Sequence, residues 1–223
     1  MKTGHLPLWL SFNGGYVDTA GFLALGGLFT AHVTGNFVTL GATLATGAAG
    51  ALPKLLALPL FCVVVLLTRL VSTELGKRGR AVVRPLLAIK VLLLAVAAAF
   101  AIAHGRFIDA GDAAALVMGM TLVAAMAIQN AVHRAHLPKS PPSTLMTGTT
   151  TQVMIDLADM ISGTGGVAPA TVRRLKRMML NVVVFALGCA AAAGAFILAG
   201  TWCFAAPPVV ALLAMLARIG DDD

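Results

Sequence analysis

The chain has 223 residues, of which 59% are hydrophobic and 11% are charged, and its formal net charge is +7. Soluble domains are typically about one quarter charged, so this composition and a mean hydropathy of +0.92 indicate an integral membrane protein. A span needs roughly 20 apolar residues, so the chain holds about six to eight spans and leaves no room for a soluble catalytic domain.

Eight helical elements are predicted, which makes the fold an all-α, polytopic membrane fold. If all eight crossed the membrane, the basic loop residues would divide eight to six between its two sides, which is no bias. The elements, in chain order, are residues 6–27, 28–48, 55–74, 85–104, 112–133, 144–163, 178–199 and 201–218.

A different topology gives a clear charge asymmetry. If 28–48 and 144–163 enter the membrane and return to the side they came from, twelve of the 16 Lys and Arg residues lie inside, and only Lys54 and Arg106 lie outside. Arg69 and Lys90 fall in apolar stretches and are expected to snorkel to the inner surface. The sequence therefore predicts about six full transmembrane helices, two broken or re-entrant elements, and cytoplasmic N- and C-termini. The twelve inside are Lys2, Lys77, Arg78, Arg80, Arg84, Arg134, Lys139, Arg173, Arg174, Lys176, Arg177 and Arg218.

The two polar elements also resemble each other. The pair Thr34-Gly35 in element 28–48 corresponds to the pair Thr147-Gly148 in element 144–163, and a polar residue precedes each pair. This order predicts two repeats, residues 6–104 and 112–218. Three crossings per repeat would invert the second copy, an arrangement that many secondary transporters use to build a site near the membrane midplane.

The candidate site is formed by polar residues of both repeats. Asp18 is the candidate coupling-ion residue, because intramembrane carboxylates usually face a cavity or a partner; a fixed partner such as Arg69 is the alternative. The other candidates offer hydroxyl, amide or free backbone groups to a small solute, although close helix packing and helix-to-helix hydrogen bonds would also explain them. These substrate-binding candidates are Thr34, Gly35, Asn36, Gln129, Asn130, Thr147, Gly148 and Thr149.

Several other functions find no support in the sequence. There is no nucleotide loop or nucleophile motif, and His32 has no second ligand at metal spacing, so no enzyme, cofactor or metal site is predicted. The basic residues lack interleaved aromatic residues and follow the positive-inside pattern, so nucleic acid is not an expected partner. Asp156 and Asp159 are expected to meet inner counter-charges at 173–177. The expected partners are the lipid bilayer and a small solute, and a homodimer stays open.

The segments 15–22, 29–36, 127–131 and 146–149, taken in this order and spacing, resemble the YoaK-type family of bacterial inner-membrane proteins. The resemblance covers essentially the whole chain. It implies a multi-span protein that carries a domain of unknown function and is often labelled a small-molecule permease without an established substrate.

The function these features favour is a permease of the bacterial inner membrane for a small polar or anionic solute, working by alternating access of the two repeats. A channel lined by the paired re-entrant elements is one alternative. A membrane accessory or assembly protein that moves no solute is the other.

Overall fold

The computed structural model describes residues 5–163 and 169–219, without the side chains of 217–219. Lys2 and the side chain of Arg218, two of the predicted inner charges, lie outside the described part. Throughout that part the regular structure is helical, with short 3-10 turns at Val33–Gly35 and Gly200–Ala205. The helices are α1 Leu6–Ala24, α2 Asn36–Thr46, α3 Ala51–Lys77, α4 Val83–His104, α5 Ala113–His136, α6 Met146–Ser162, α7 Pro169–Ala199 and α8 Ala206–Ile219.

Several helices have the length and composition to cross a membrane. Among the described residues there are four such stretches, Ala51–Lys77, Val83–His104, Ala113–His136 and Pro169–Leu216, the last covering both α7 and α8. Their outer surfaces expose large apolar side chains such as Leu66, Leu92 and Leu187, as contact with lipid requires. The prediction of an all-helical membrane protein is confirmed. The predicted six crossings go beyond these four stretches.

α1 lies at the centre of the bundle, packed against α5, α7 and α8. Three of its polar residues, Ser11, Asn13 and Asp18, are buried. Its contact with α7 is close because both helices place glycine there: a Cβ on Gly15 or on Gly188 would overlap a backbone carbonyl of the other helix. Small residues that let backbones approach in this way are typical of helix pairs in membranes.

At one end of the bundle, the end of α1, the α2–α3 turn and the α4–α5 loop lie together. A Cβ on Gly26, just after α1, would lie 2.5 Å from the Cβ of Ala110 in the α4–α5 loop. A Cβ on Gly50, just before α3, would lie 3.0 Å from the same atom. The 11 residues of α2 measure about 16 Å, too short for a hydrocarbon core of about 30 Å. The chain therefore enters the bundle after α1 and returns through α2 to the same end.

The opposite end of the bundle contains the start of α1, the end of α5 and the first half of α7. Gln129, near the end of α5, donates from Nε2 to the carbonyl oxygen of Leu10 at 2.9 Å. The hydroxyl of Ser11 hydrogen-bonds to Asn181 Oδ1 on α7. The N-terminal part of α1 is thus level with the last two turns of α5.

α6 returns towards this second end. Asn181 Nδ2 donates to the carbonyl oxygen of Pro142 at 2.8 Å, so the chain before α6 is level with the middle of α7. Further along α6, Asp156 Oδ1 accepts from Arg174 Nη2 at 2.7 Å, close to the described start of α7. Hydrogen bonds from Gln152 and Arg174 hold the pKa of Asp156 below its usual value. The predicted pairing of Asp156 with the basic group is confirmed.

Two local predictions differ from the structure. α7 begins in the described part at Pro169, nine residues before the predicted 178, because Lys and Arg are good helix formers and the basic stretch continues the helix beyond its apolar part. Lys90 does not snorkel: its side chain is 0% exposed and donates to Gln129 Oε1. That expectation was wrong because α4 packs against α5 at this position and not against lipid.

Candidate functional site

A non-helical segment between α1 and α2, residues 28–35, forms what we call the first tip. Gly26 and Gly27 end α1 with positive φ values of 59° and 83°, which turn the chain back along the helix. Asp18 Oδ1 then accepts the backbone N–H groups of Thr30 and Ala31, each at 2.7 Å. The carboxylate thereby satisfies backbone donors that have no helical partner inside the bundle.

His32 completes the environment of this carboxylate. Its Nδ1 lies 2.7 Å from Asp18 Oδ2, and Thr30 Oγ1 donates to Oδ1 at 3.3 Å. Asp18 is 4% exposed, whereas about a third of the His32 side chain is accessible. Asp18 is therefore an anchor of the first tip, and the imidazole is the more accessible member of the pair.

Asn36 closes the first tip from the other side. Its Oδ1 accepts from the N–H of Phe29 at 2.9 Å, and its Nδ2 donates to the carbonyl oxygen of Phe29 at 2.7 Å. The amide thus replaces a backbone pair at a point where the chain is not helical. Gly35 leaves room for the Phe29 ring, since a Cβ there would lie 2.9 Å from Cδ2.

A second tip, residues 138–145, lies between α5 and α6. Gln129 Nε2 donates to Ser143 Oγ at 3.1 Å, in addition to its bond with α1. The hydroxyl of Thr144 donates to Asn130 Oδ1 at 2.6 Å. Two consecutive polar residues of α5 therefore hold two consecutive residues of the second tip, much as Asp18 holds Thr30 and Ala31.

The two tips meet beside α1. His32 approaches the backbone of Thr144, so the pair that holds the first tip touches the second. α1 makes room for both tips with glycines: a Cβ on Gly21 would lie 2.8 Å from Thr30 Cγ2, and one on Gly14 would lie 3.0 Å from the carbonyl oxygen of Ser143. Side chains at these two positions would push the tips apart.

The Thr-Gly pairs themselves are not brought together. Thr34, Thr147 and Gly148 are exposed on the outer faces of their segments, and a Cβ on Gly148 would meet nothing within 4 Å. Thr149 is buried, but its hydroxyl donates back to the carbonyl oxygen of Leu145 at 3.0 Å. Of the predicted site residues, the structure gathers Asp18, Asn36, Gln129 and Asn130 around the tips.

Sequence reasoning missed three residues of this region: His32, Thr144 and Lys90. The sequence gives His32 no role because no second ligand lies at metal spacing, yet in the first tip its ring pairs with Asp18. The glycine pair at 26–27 indicates a helix break before His32 and could have identified this residue from the sequence. For Lys90 and Thr144 no pattern in the sequence identifies the partner, because each contact joins residues of separate elements.

A small cavity of about 140 Å³ opens against the second tip. His133 faces it, is 5% exposed, and points its ring nitrogens towards the backbone of Ser140 and Pro141 without a hydrogen bond of normal geometry. Arg134 supplies a positive charge, and neutral donors and acceptors complete the wall. The cavity is lined by Asn130, His133, Arg134, Leu137, Pro138, Ser140, Pro142, Ser143 and Leu145.

Fold and site together define a class: over the described residues, a helical membrane-type protein in which two short helices each follow a tip that is not α-helical and is partly buried. Residues 6–217 match the model of a family described as a protein of unknown function (DUF1275), and the chain belongs to that family. The YoaK-type resemblance drawn from the sequence motifs is thereby confirmed. No curated protein and no solved structure matches the chain.

Proposed function

We propose that the protein is a small-molecule permease of the bacterial inner membrane, and that its solute passes between the two tips. The meeting of His32 with the second tip carries this proposal, because it places the Asp18–His32 pair and the non-helical backbone of the second tip at one point inside the bundle. Non-helical backbone at membrane depth is tolerated where it lines a cavity or is buried in protein, and transporters use such breaks to bind solutes.

The arrangement of the tips supports two inverted repeats, 6–104 and 112–218. The first tip enters the bundle from the end where α1 stops, and the second enters from the end where α1 starts. Each is held by a polar side chain from the helix before it, at a separation of 12 residues for Asp18–Thr30 and 14 for Asn130–Thr144. On this topology α1, α3, α4, α5, α7 and α8 make the six crossings, and α2 and α6 are the re-entrant helices.

The cavity at the second tip favours a small polar or anionic solute. A volume of about 140 Å³ is well below the roughly 300–1,000 Å³ of sites for drug-sized ligands. Arg134 can supply positive charge, the buried His133 can supply an N–H donor, and Asn130 and Ser143 can complete the hydrogen bonding. Asp18 and His32 lie across the second tip from this cavity and are the coupling pair of the proposal.

A thermal-shift screen tests the proposal. Detergent-purified protein is heated with small carboxylates, inorganic anions, amino acids and sugars at several pH values. A ligand at about 100 times its Kd stabilises the fold by about 2.7 kcal/mol, which raises Tm by roughly 5–10 °C in a chain of this size. We expect a hit whose shift is lost in Thr144→Val, because the substitution removes the hydroxyl that positions the second tip.

Thr147→Val is the matched control, since it makes the same change three residues away on an exposed surface. A shift kept in Thr147→Val and lost in Thr144→Val places the solute at the tips. A shift lost only in Thr147→Val would place it at the Thr-Gly pairs instead. No shift with any solute, from a preparation that melts cooperatively, would favour the accessory-protein alternative.

A further inference from the structure

Lys90 is the least expected ionisable residue in the molecule. It lies in the first half of α4, its side chain is 0% exposed, and Gln129 Oε1 is its hydrogen-bond partner. An ammonium group has three donors, so a charged Lys90 in this position would leave two of them without an acceptor. A buried charge without a counter-ion is among the most costly features a protein can contain, more so within a membrane.

The surroundings of Lys90 supply no counter-charge. α5 brings neutral Gln129 and, one turn further, His133; the 3-10 turn at Gly200–Ala205 brings Cys203; and the described part of α8 carries no ionisable side chain. α3 touches α4 only weakly, and its nearby ionisable residues are Arg69 and Glu74. Among the described residues none forms an ion pair with Lys90. The observed packing therefore suits the neutral amine.

Lys90 is connected to the second tip by a single side chain. Gln129 accepts from Lys90 with Oε1 and donates with Nε2 to Ser143 Oγ and to the carbonyl oxygen of Leu10. The carbonyl oxygen of Leu10 fixes which way round the amide sits, because it can only accept, and this orientation turns the amide oxygen towards Lys90 and the N–H groups towards the tip. A movement of Lys90 would therefore free the group that holds Ser143.

We propose that Lys90 is a proton-operated latch for the second tip. The neutral amine holds Gln129, and Gln129 holds Ser143. The amine's lone pair takes a proton from the surrounding water, and the ammonium group that forms leaves its buried position for water or an anion. The bond to Gln129 then breaks, and the second tip is released. In the proposed permease, Lys90 then controls the second tip as the Asp18–His32 pair controls the first. The latch needs no solute, so it stands or fails separately from the permease function.

Hydrogen–deuterium exchange of the full-length protein in lipid nanodiscs tests the latch, with peptides that cover residues 138–150 followed from pH 8 to pH 5. After correction for the intrinsic pH dependence of exchange, we expect the wild-type segment to lose protection by about tenfold as the pH falls. Lys90→Met keeps the length of the side chain and removes the ionisable group, so its protection should not change with pH.

Four further variants isolate Lys90. His32 and His133 also lie against the second tip, so His32→Gln and His133→Gln should keep the pH response if the latch is Lys90. Lys54→Met alters another buried lysine, which bonds Thr43 away from the second tip, and should keep the response as well. Lys90→Gln keeps an N–H donor for Gln129 Oε1 without an ionisable group, so the segment should stay protected at pH 5.

The latch is wrong if Lys90→Met responds to pH as the wild type does, or if the wild-type segment keeps the same corrected protection throughout. If Lys90→Met does not fold, Lys90→Gln decides: continued protection at pH 5 supports the latch, and a loss of protection as large as that of the wild type overturns it.

Discussion

Alanine at Gly188 is expected to destabilise the bundle strongly. The added Cβ would overlap the carbonyl of Phe12 in α1, and a backbone atom cannot turn aside as a flexible side chain can. Overpacking typically costs 1–3 kcal/mol, and a clash with backbone belongs at the upper end, so we expect a loss of about 3 kcal/mol. In a chain of this size that lowers Tm by roughly 6–12 °C, measurable by thermal melting in detergent.

Gly194→Ala is the control for Gly188→Ala. Gly194 lies in the same helix, and a Cβ there would meet nothing within 4 Å. Since alanine is the better helix former by about 1 kcal/mol, this variant should melt at or above the wild-type temperature. Equal melting temperatures for the two variants would contradict the close contact between α1 and α7.

Asp18→Asn is expected to release the first tip. The carboxylate accepts two backbone N–H groups and one hydroxyl and pairs with His32, and the amide that replaces it turns a donor towards one of these partners. Hydrogen bonds to a charged group contribute about 1.5–3 kcal/mol each, and breaking a buried ion pair costs about 3–5 kcal/mol. We expect Tm to fall by about 10 °C and deuterium uptake in residues 28–35 to rise.

Asp159→Asn makes the same chemical change on the exposed face of α6 and should leave Tm within about 1–2 °C of wild type. If Asp18→Asn has the same Tm as Asp159→Asn, the carboxylate does not anchor the first tip. A stable Asp18→Asn variant with normal protection at 28–35 but altered solute binding would instead make Asp18 a coupling residue with no anchoring role.

Much of the fold follows from two patterns in the sequence. Apolar runs set the helices, and their order agrees with all eight predicted elements. The distribution of Lys and Arg, with Thr, His and Asn in 28–48, indicated that two elements enter the bundle and turn back. The contacts of Ala110 with Gly26 and Gly50 agree with that expectation for the first element.

The site was only partly predictable, for reasons that particular residues make clear. Asp18, Gln129 and Asn130 stood out because a polar side chain in an apolar helix must find a partner. Their partners did not, since Thr144 and Lys90 lie on other elements and the register between elements is set by packing. The repeated Thr-Gly pair predicted a site at Thr34 and Thr147, which are exposed. The contacts with the preceding helices come instead from Thr30 and Thr144.

The account depends most on the two tips entering from opposite sides of the membrane. Side-specific labelling with a membrane-impermeant maleimide measures this directly, in intact cells and inverted vesicles, once Cys62, Cys189 and Cys203 have been replaced. Single cysteines at Thr46 and Arg106 should react only from the outer side, and those at Lys77 and Asp159 only from the inner side, since all four positions are exposed. Reaction of the Thr46 cysteine from the same side as Lys77, or of the Asp159 cysteine from the same side as Arg106, would contradict the re-entrant topology and with it the proposed path between the tips.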